Sequence, residues 1–191
     1  MKRRRNPIPP HAKMVFKGVM FDVWQWEQKM FDGSQETFER LKRPNTAQVI
    51  ATAGEKILTL YEEQPDSVGL FPSLPGGRID EGEGPLEGAK RELLEETGYE
   101  SDDWELWLEQ NPASKIEWTI YTFVARNCRK VAEPHLDAGE RISPRWTSFD
   151  EFMALTENDA FYAKEIVEVL LRARLDARKS EELQQLFFGP Q

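Results

Sequence analysis

The chain has 191 residues, 39% of them hydrophobic and 31% charged, enough to bury one core and too few to call for a second full domain. A formal net charge of −9 and a pI near 4.9 exclude a general attraction to nucleic acid or anionic lipid, so an anionic ligand needs a local cation from Arg, Lys or a metal. The lone cysteine, Cys128, excludes an intramolecular disulfide and reads as a small strand residue. With no secretory signal and no run of about 18 apolar residues, the expected location is the cytosol.

In chain order, the basic, proline-rich start MKRRRNPIPPHAK (1–13) reads as a flexible tail. Residues 14–44 read as an antiparallel strand pair. MVFKGVMFDVWQW is dense in apolar and aromatic residues, and Asp32-Gly33 signals a turn before ETFERLKR. Trp24, Trp26 and Phe38 in this hairpin suit a small core, a dimer interface or a flat surface for a base.

Residues 45–191 form the remaining unit. TAQVIAT and KILTLYEEQ read as strands around the turn AGEK, and PDSVGLFPSLPGG as a loop. Over Pro85–Thr97, Leu86, Ala89 and Leu93 recur at helical spacing, with Pro85 suited to the first turn and Gly98 to the C-cap. WELWLEQ and KIEWTIYTFVAR read as paired strands, RWTS as a short one, and Ser148 as the cap of a helix SFDEF. The stretch NDAFYAKEIVEVLLRARLDARKSEELQQLFF is the longest helical pattern. Strands interrupted by separate helices imply an α/β or α+β layered domain, with helices covering a mixed sheet.

On a helix turning about 100° per residue, Glu92, Glu95 and Glu96 stand at about 0°, 300° and 40°, all on one side. Gly88 lies a turn earlier on that side and leaves space open beside Glu92. Convergent carboxylates raise one another's pKa unless a cation sits among them, and a hard divalent ion with oxygen ligands, Mg²⁺ or Mn²⁺, suits them. Lys90 and Arg91 offset part of the charge, and Arg91 is free to pair with Glu83. Three glutamates alone also fit a solvated acidic face.

The flanking residues narrow this. Gly77, five residues, Glu83, seven residues, Arg91-Glu92-Leu93, one residue, Glu95-Glu96, one residue, Gly98 and Tyr99 follow in order. That order resembles the Nudix box, GX5EX7REUXEEXGU with U apolar, and meets every fixed position. The resemblance implies a Nudix α/β/α sandwich with a mixed sheet and metal-dependent hydrolysis of a nucleoside diphosphate linked to a further moiety. It further implies Glu92, Glu96, Glu95 and the Gly76 carbonyl as metal ligands, Glu95 directly or through water, with Glu83 and Arg91 orienting the box.

Outside the box, the N-terminal strand pair, the Glu63-Gln64 pair and the late acidic loop DAGERISPRWTSFDEF resemble the ADP-ribose pyrophosphatase and nucleoside diphosphate sugar hydrolase branch. That likeness implies a homodimer with a shared adenine site. Phe38 is the first stacking candidate, Trp24 and Trp26 stand behind it, and Arg78 is a further substrate contact. It implies Glu140 as the residue that activates the water. Pro112 falls out of register with the branch's proline, and Pro65 stands where an arginine often follows the Glu-Gln pair, which widens the implied class from ADP-ribose to nucleotide sugars. The alternatives are hydrolysis of a nucleoside triphosphate or dinucleoside polyphosphate, and a non-catalytic nucleotide sensor.

Overall fold

The computed structural model describes residues 6–189. Its strands are β1 (Lys13–Lys17), β2 (Asp22–Lys29), β3 (Gln35–Lys42), β4 (Thr46–Ala53), β5 (Lys56–Glu63), β6 (Phe71–Ser73), β7 (Gly76–Arg78), β8 (Tyr99–Glu100), β9 (Asp103–Gln110), β10 (Ile116–Glu117), β11 (Ile120–Arg126), β12 (Arg129–Lys130) and β13 (Arg141–Ser148). Its α-helices are α1 (Pro85–Thr97), α2 (Phe149–Ala154), α3 (Lys164–Arg174) and α4 (Ala177–Phe188).

The main sheet runs β13-β5-β4-β11-β9, with β6 on β5 and β7 on β4; β4 and β11 are parallel and the other pairs antiparallel. Period-two alternation along β4 sends Ala47, Val49 and Ala51 to one face, where they pack with Ala89 and Leu93 of α1. Ile50 faces the other way and packs, with Ile57 and Val124, against Phe152 of α2, Ile166 and Leu170 of α3 and Phe187 of α4. The result is an α/β/α sandwich around a mixed sheet. No helix among the described residues is long and apolar enough to cross a membrane.

The N-terminal unit has three antiparallel strands where a pair was expected. KMVFK forms β1 on β2 across a bulge between Met14 and Phe16, and Gly18 N–H closes the turn on the Phe21 carbonyl. β10 then adds to β3 in parallel, so this small sheet is hydrogen-bonded to the body of the chain. Of the expected tail, residues 1–5 lie outside the described residues. Asn6 and Ile8 are tied down, Asn6 by its carbonyl to Arg40 and Ile8 by its N–H to Glu117.

Two further expectations change. KIEWTIYTFVAR divides into β10 and β11. The long C-terminal helix breaks at Asp176, whose carboxylate accepts the N–H groups of Arg178 and Lys179 and so starts α4 afresh. Ser148 caps α2 in a capping box with Glu151.

Candidate active site

Pro85 fills the first turn of α1 and Gly98, in the left-handed region at φ +69°, ends it with its N–H on the Leu94 carbonyl. Burial of Ala89 and Leu93 against the sheet fixes the rotation of the helix, and hence where its glutamates stand. They are not equivalent. Glu96 is buried, Glu92 nearly so with 14% of its side chain exposed, and Glu95 stands 46% exposed.

The cation among them is Arg91. Its Nε and Nη2 each donate to one Glu83 oxygen at 3.0 Å. Its Nη1 reaches Glu92 Oε1 at 2.9 Å and Glu95 Oε2 at 3.0 Å, and Nη2 also bonds the Arg78 carbonyl at 2.9 Å. This network raises the Arg91 pKa, chiefly through Glu83, and the same pairing lowers that of Glu83. Arg91 therefore ties α1 to β7 and to the turn before the helix. Gly88, expected beside Glu92, instead faces Glu83 and Ile79, where an added Cβ would come within 3.1 and 3.3 Å. The open space beside Glu92 is made by Gly77, whose missing Cβ would lie 2.5 Å from Glu92 Oε1.

Glu96 turns away from Arg91 and accepts the Gly76 N–H at 2.8 Å. The recorded contact at Gly76 is thus through its amide. Glu62 and Glu140 lie near enough to act on Glu96 electrostatically, and burial, followed by these like charges and Glu92, pushes the Glu96 carboxyl well above the usual range. Burial likewise raises Glu92, against the opposing pull of Arg91. Glu62 is raised by burial and by Glu140, with Ser73 and Gln64 as hydrogen-bond donors opposing the shift.

Glu62 was passed over in the sequence in favour of Glu63, which points outward to Arg141 at 3.1 Å. The signal was there. Leu58, Leu60 and Glu62 alternate along β5, and period two carries the buried face of the two leucines to the carboxylate.

Arg43 was also missed. It follows β3, and its guanidinium lies over the rings of Trp118 at 4.4 Å and Phe21 at 5.7 Å. Its Nε is buried and, among the described residues, has no hydrogen-bond partner. Burial lowers its pKa, Arg78 adds like-charge repulsion and Tyr162 offsets part of this. Arg78 pairs with Thr46 across β7 and β4, beside the glycines that meet Glu92 and Glu96. Arg43 and Arg78 thus lie close enough to repel each other, and among the described residues the ion pair of Arg78 is with Asp80, at 3.8 Å.

The N-terminal aromatics form a stripe on one face of the meander. Trp26 pairs across β2 and β3 with Phe38, ring centres 6.0 Å apart, and is buried. Phe38 and Trp24 are half-buried, and Trp24 Nε1 is buried with no partner among the described residues.

The donor set is all oxygen, and Glu62, Glu92 and Glu96 are held at raised pKa with Arg91 bonding only Glu92 among them, which fits a hard divalent cation. Among the described residues, however, no three ligating side chains converge into a closed cage. Arg91 bonds Glu92 and Glu95, so two of the three α1 glutamates converge on a guanidinium.

A sandwich whose α1 glutamates are braced by Glu83 and Arg91 over a glycine turn defines a pyrophosphohydrolase of the Nudix class. The chain belongs to the Nudix family, whose NUDIX domain profile matches residues 42–170. It is similar to the methanol dehydrogenase activator of Bacillus methanolicus, 25% identical over 161 residues that span 82% of this chain and 86% of that protein. It is equally similar to the ADP-ribose pyrophosphatase of Bacillus subtilis (strain 168), 24% identical over 174 residues, 87% of this chain and 94% of that one. A crystal structure of an ADP compounds hydrolase shares the fold, with TM-score 0.71 and 21% identity over 93% of this chain and 98% of that chain.

Proposed function

We propose that this enzyme, acting in the cytoplasm, hydrolyses the pyrophosphate bond of a nucleoside diphosphate sugar such as ADP-ribose, with Mg²⁺ or Mn²⁺, to a nucleoside monophosphate and a sugar phosphate. The observation that carries the reading is the pairing of opposite electrostatics: buried Glu96 bonds Gly76 at one end of β7, Arg78 stands at the other end with Asp80 at 3.8 Å, and Arg43, which has no ion-pair partner among the described residues, lies close enough to Arg78 to feel its charge. A diphosphate is a ligand whose charge suits both. The B. subtilis relative is named for one such substrate.

Glu92, Glu95, Glu96 and the Gly76 carbonyl would hold the metal, once Arg91 Nη1 gives up Glu92 and Glu95 while its Glu83 bonds keep the turn in place. The ion's chemistry is to polarise the diphosphate, lower the pKa of the attacking water and offset charge on the leaving phosphate. Arg43 and Arg78 orient the substrate's phosphates by charge-assisted hydrogen bonds. Glu140, on the segment before β13, takes the proton from the water. Phe38, with Trp24 and Trp26 behind it, supplies the surface for the base.

The meander over residues 14–44 is proposed as the dimerisation unit of the 45–191 hydrolase body. Met14, Val15, Phe16, Val19 and Met20 form an exposed apolar edge there, which a second copy of the chain would cover. Light scattering that gave only monomer at working concentration would undo this part.

The deciding experiment is a substrate panel with Mg²⁺ and Mn²⁺: ADP-ribose, ADP-glucose, GDP-mannose, NADH, diadenosine polyphosphates and nucleoside triphosphates, with products identified. AMP and ribose phosphate from ADP-ribose support the reading. Preferential release of pyrophosphate from a triphosphate would replace it.

A further inference from the structure

Partly buried arginines usually spend their charge on a carboxylate, and among the described residues Arg43 does not. Its guanidinium lies over two aromatic faces, the Trp118 ring at 4.4 Å and the Phe21 ring at 5.7 Å. No carboxylate forms an ion pair with it among the described residues, and its Nε is sealed from solvent. The difference has a chemical consequence. A carboxylate partner would neutralise the guanidinium and occupy the in-plane N–H groups that a phosphate needs. An indole face attracts the cation through its quadrupole and leaves those in-plane donors uncommitted.

Trp118 is itself held. Its Nε1 donates to Thr46 Oγ1 at 3.0 Å, which fixes the ring by a partner on β4. Thr46 N–H bonds the Thr119 carbonyl, and Thr119 N–H bonds Asn45 Oδ1 at 2.9 Å, so the segments carrying Arg43 and Trp118 are locked side by side. Thr46 also stands opposite Arg78 in the β4–β7 register. One short stretch of β4 therefore sets the position of the indole and of the strand bearing the second arginine.

We infer that Trp118, anchored by Thr46, is a positioning residue that holds Arg43 as an uncompensated cation for the substrate's diphosphate. The inference rests on the phosphate role proposed for Arg43. Trp118 touches the arginine and not the reacting atoms, so its loss weakens binding more than turnover.

The test uses inorganic pyrophosphate, titrated calorimetrically into the metal-free full chain, so that neither substrate identity nor activity enters. Trp118→Leu weakens pyrophosphate binding by about tenfold, Trp118→Phe, which keeps a π face, by no more than about threefold, and Thr46→Val by an intermediate factor. Arg43→Ala weakens it at least as much as Trp118→Leu, and Trp118→Leu has no further effect in that background. In turnover of ADP-ribose, Trp118→Leu raises KM by a similar factor and leaves kcat within about twofold. Should Trp118→Leu fail to fold, Thr46→Val alone decides, since it keeps the indole and removes only its anchor. Wild-type affinity in the anchored-residue variants, or an equal Trp118→Leu effect with and without Arg43, overturns the inference alone. An Arg43→Ala protein that binds pyrophosphate normally overturns the phosphate role of Arg43, and the inference with it.

Discussion

Gly77→Ala separates the part of the site that does chemistry from the part that holds the fold. The backbone at Gly77 is open to alanine, but its new Cβ would stand 2.5 Å from Glu92 Oε1, 2.6 Å from Cδ and 2.7 Å from Oε2. Reaching ordinary contact requires the carboxylate to retreat by about 1 Å, and a displacement of that size in a catalytic group costs on the order of 10² in rate. The 2.9 Å bond from Arg91 Nη1 to Glu92 is strained or lost. A charge-assisted bond of about 1.5–3 kcal/mol is set against roughly 0.4–1 kcal/mol gained from the stiffer unfolded chain, a net loss of about 0.5–2.6 kcal/mol and a few degrees in Tm. Gly76→Ala is the control. Its Cβ would meet the Ala47 carbonyl oxygen at 2.3 Å and Gln48 Cα at 2.8 Å, both backbone of the central strand, with φ at +152°. It should cost at least about 3 kcal/mol. The assay is kcat/KM beside a thermal melt for each variant. Gly77→Ala activity within about threefold of wild type would refute the argument that Glu92's position governs turnover. Unfolding as severe as that of Gly76→Ala would refute the claim that the clash falls on a movable side chain.

Glu96→Gln, which keeps shape and an acceptor for the Gly76 N–H but removes charge, is expected to lower kcat by at least ~10² with an unchanged circular dichroism spectrum. Gly98→Ala should destabilise by more than about 2 kcal/mol in a urea titration, because φ is +69° and the Cβ would lie 2.0 Å from the Ala132 carbonyl oxygen. Burial pushes the Cys128 thiol up to about 11 from 9.0, so the folded state holds its proton longer than the unfolded one. Its stabilising contribution is present below pH 9 and is lost as pH rises toward 11, about 2–3 kcal/mol in all. Cys128→Val should flatten that decline in denaturant titrations, and an unchanged slope would refute it.

Much of the fold was legible because it is written in local periodicity. The α1 limits, its caps and its apolar side follow from Pro85, Leu86, Ala89, Leu93 and Gly98. Where reading failed, the deciding interactions were non-local or competed with a propensity. Asp176 sits in a strongly helical run, yet its carboxylate prefers to cap and so splits the helix in two. β1 is held by pairing with β2, which no single window reveals. At the site, spacing located Glu83, Arg91 and the α1 glutamates, whereas Glu62 on β5 and Arg43 just after β3 are remote from the box in sequence and acquire their character from burial. Spacing also could not tell that Arg91 would reach Glu92 and Glu95 as well as Glu83, since that depends on how far the guanidinium extends across the helix.

The meander and the main sheet share two parallel pairs, β3 with β10 and β4 with β11, interrupted only at 43–45 and 118–119. Pro44, which has no N–H to give, falls in that gap, and the Asn45 side chain carries the bonding across it. Mechanically this is one ribbon notched at a single point. Phe38 lies five residues from Arg43 along an extended strand, about 17 Å at roughly 3.4 Å per residue. A bend of about 7° at the notch would sweep Phe38 through about 2 Å while leaving Arg43 nearly still. The notch is therefore a fulcrum, with the Phe38 ring at the far end of the lever and the Arg43 guanidinium beside the pivot.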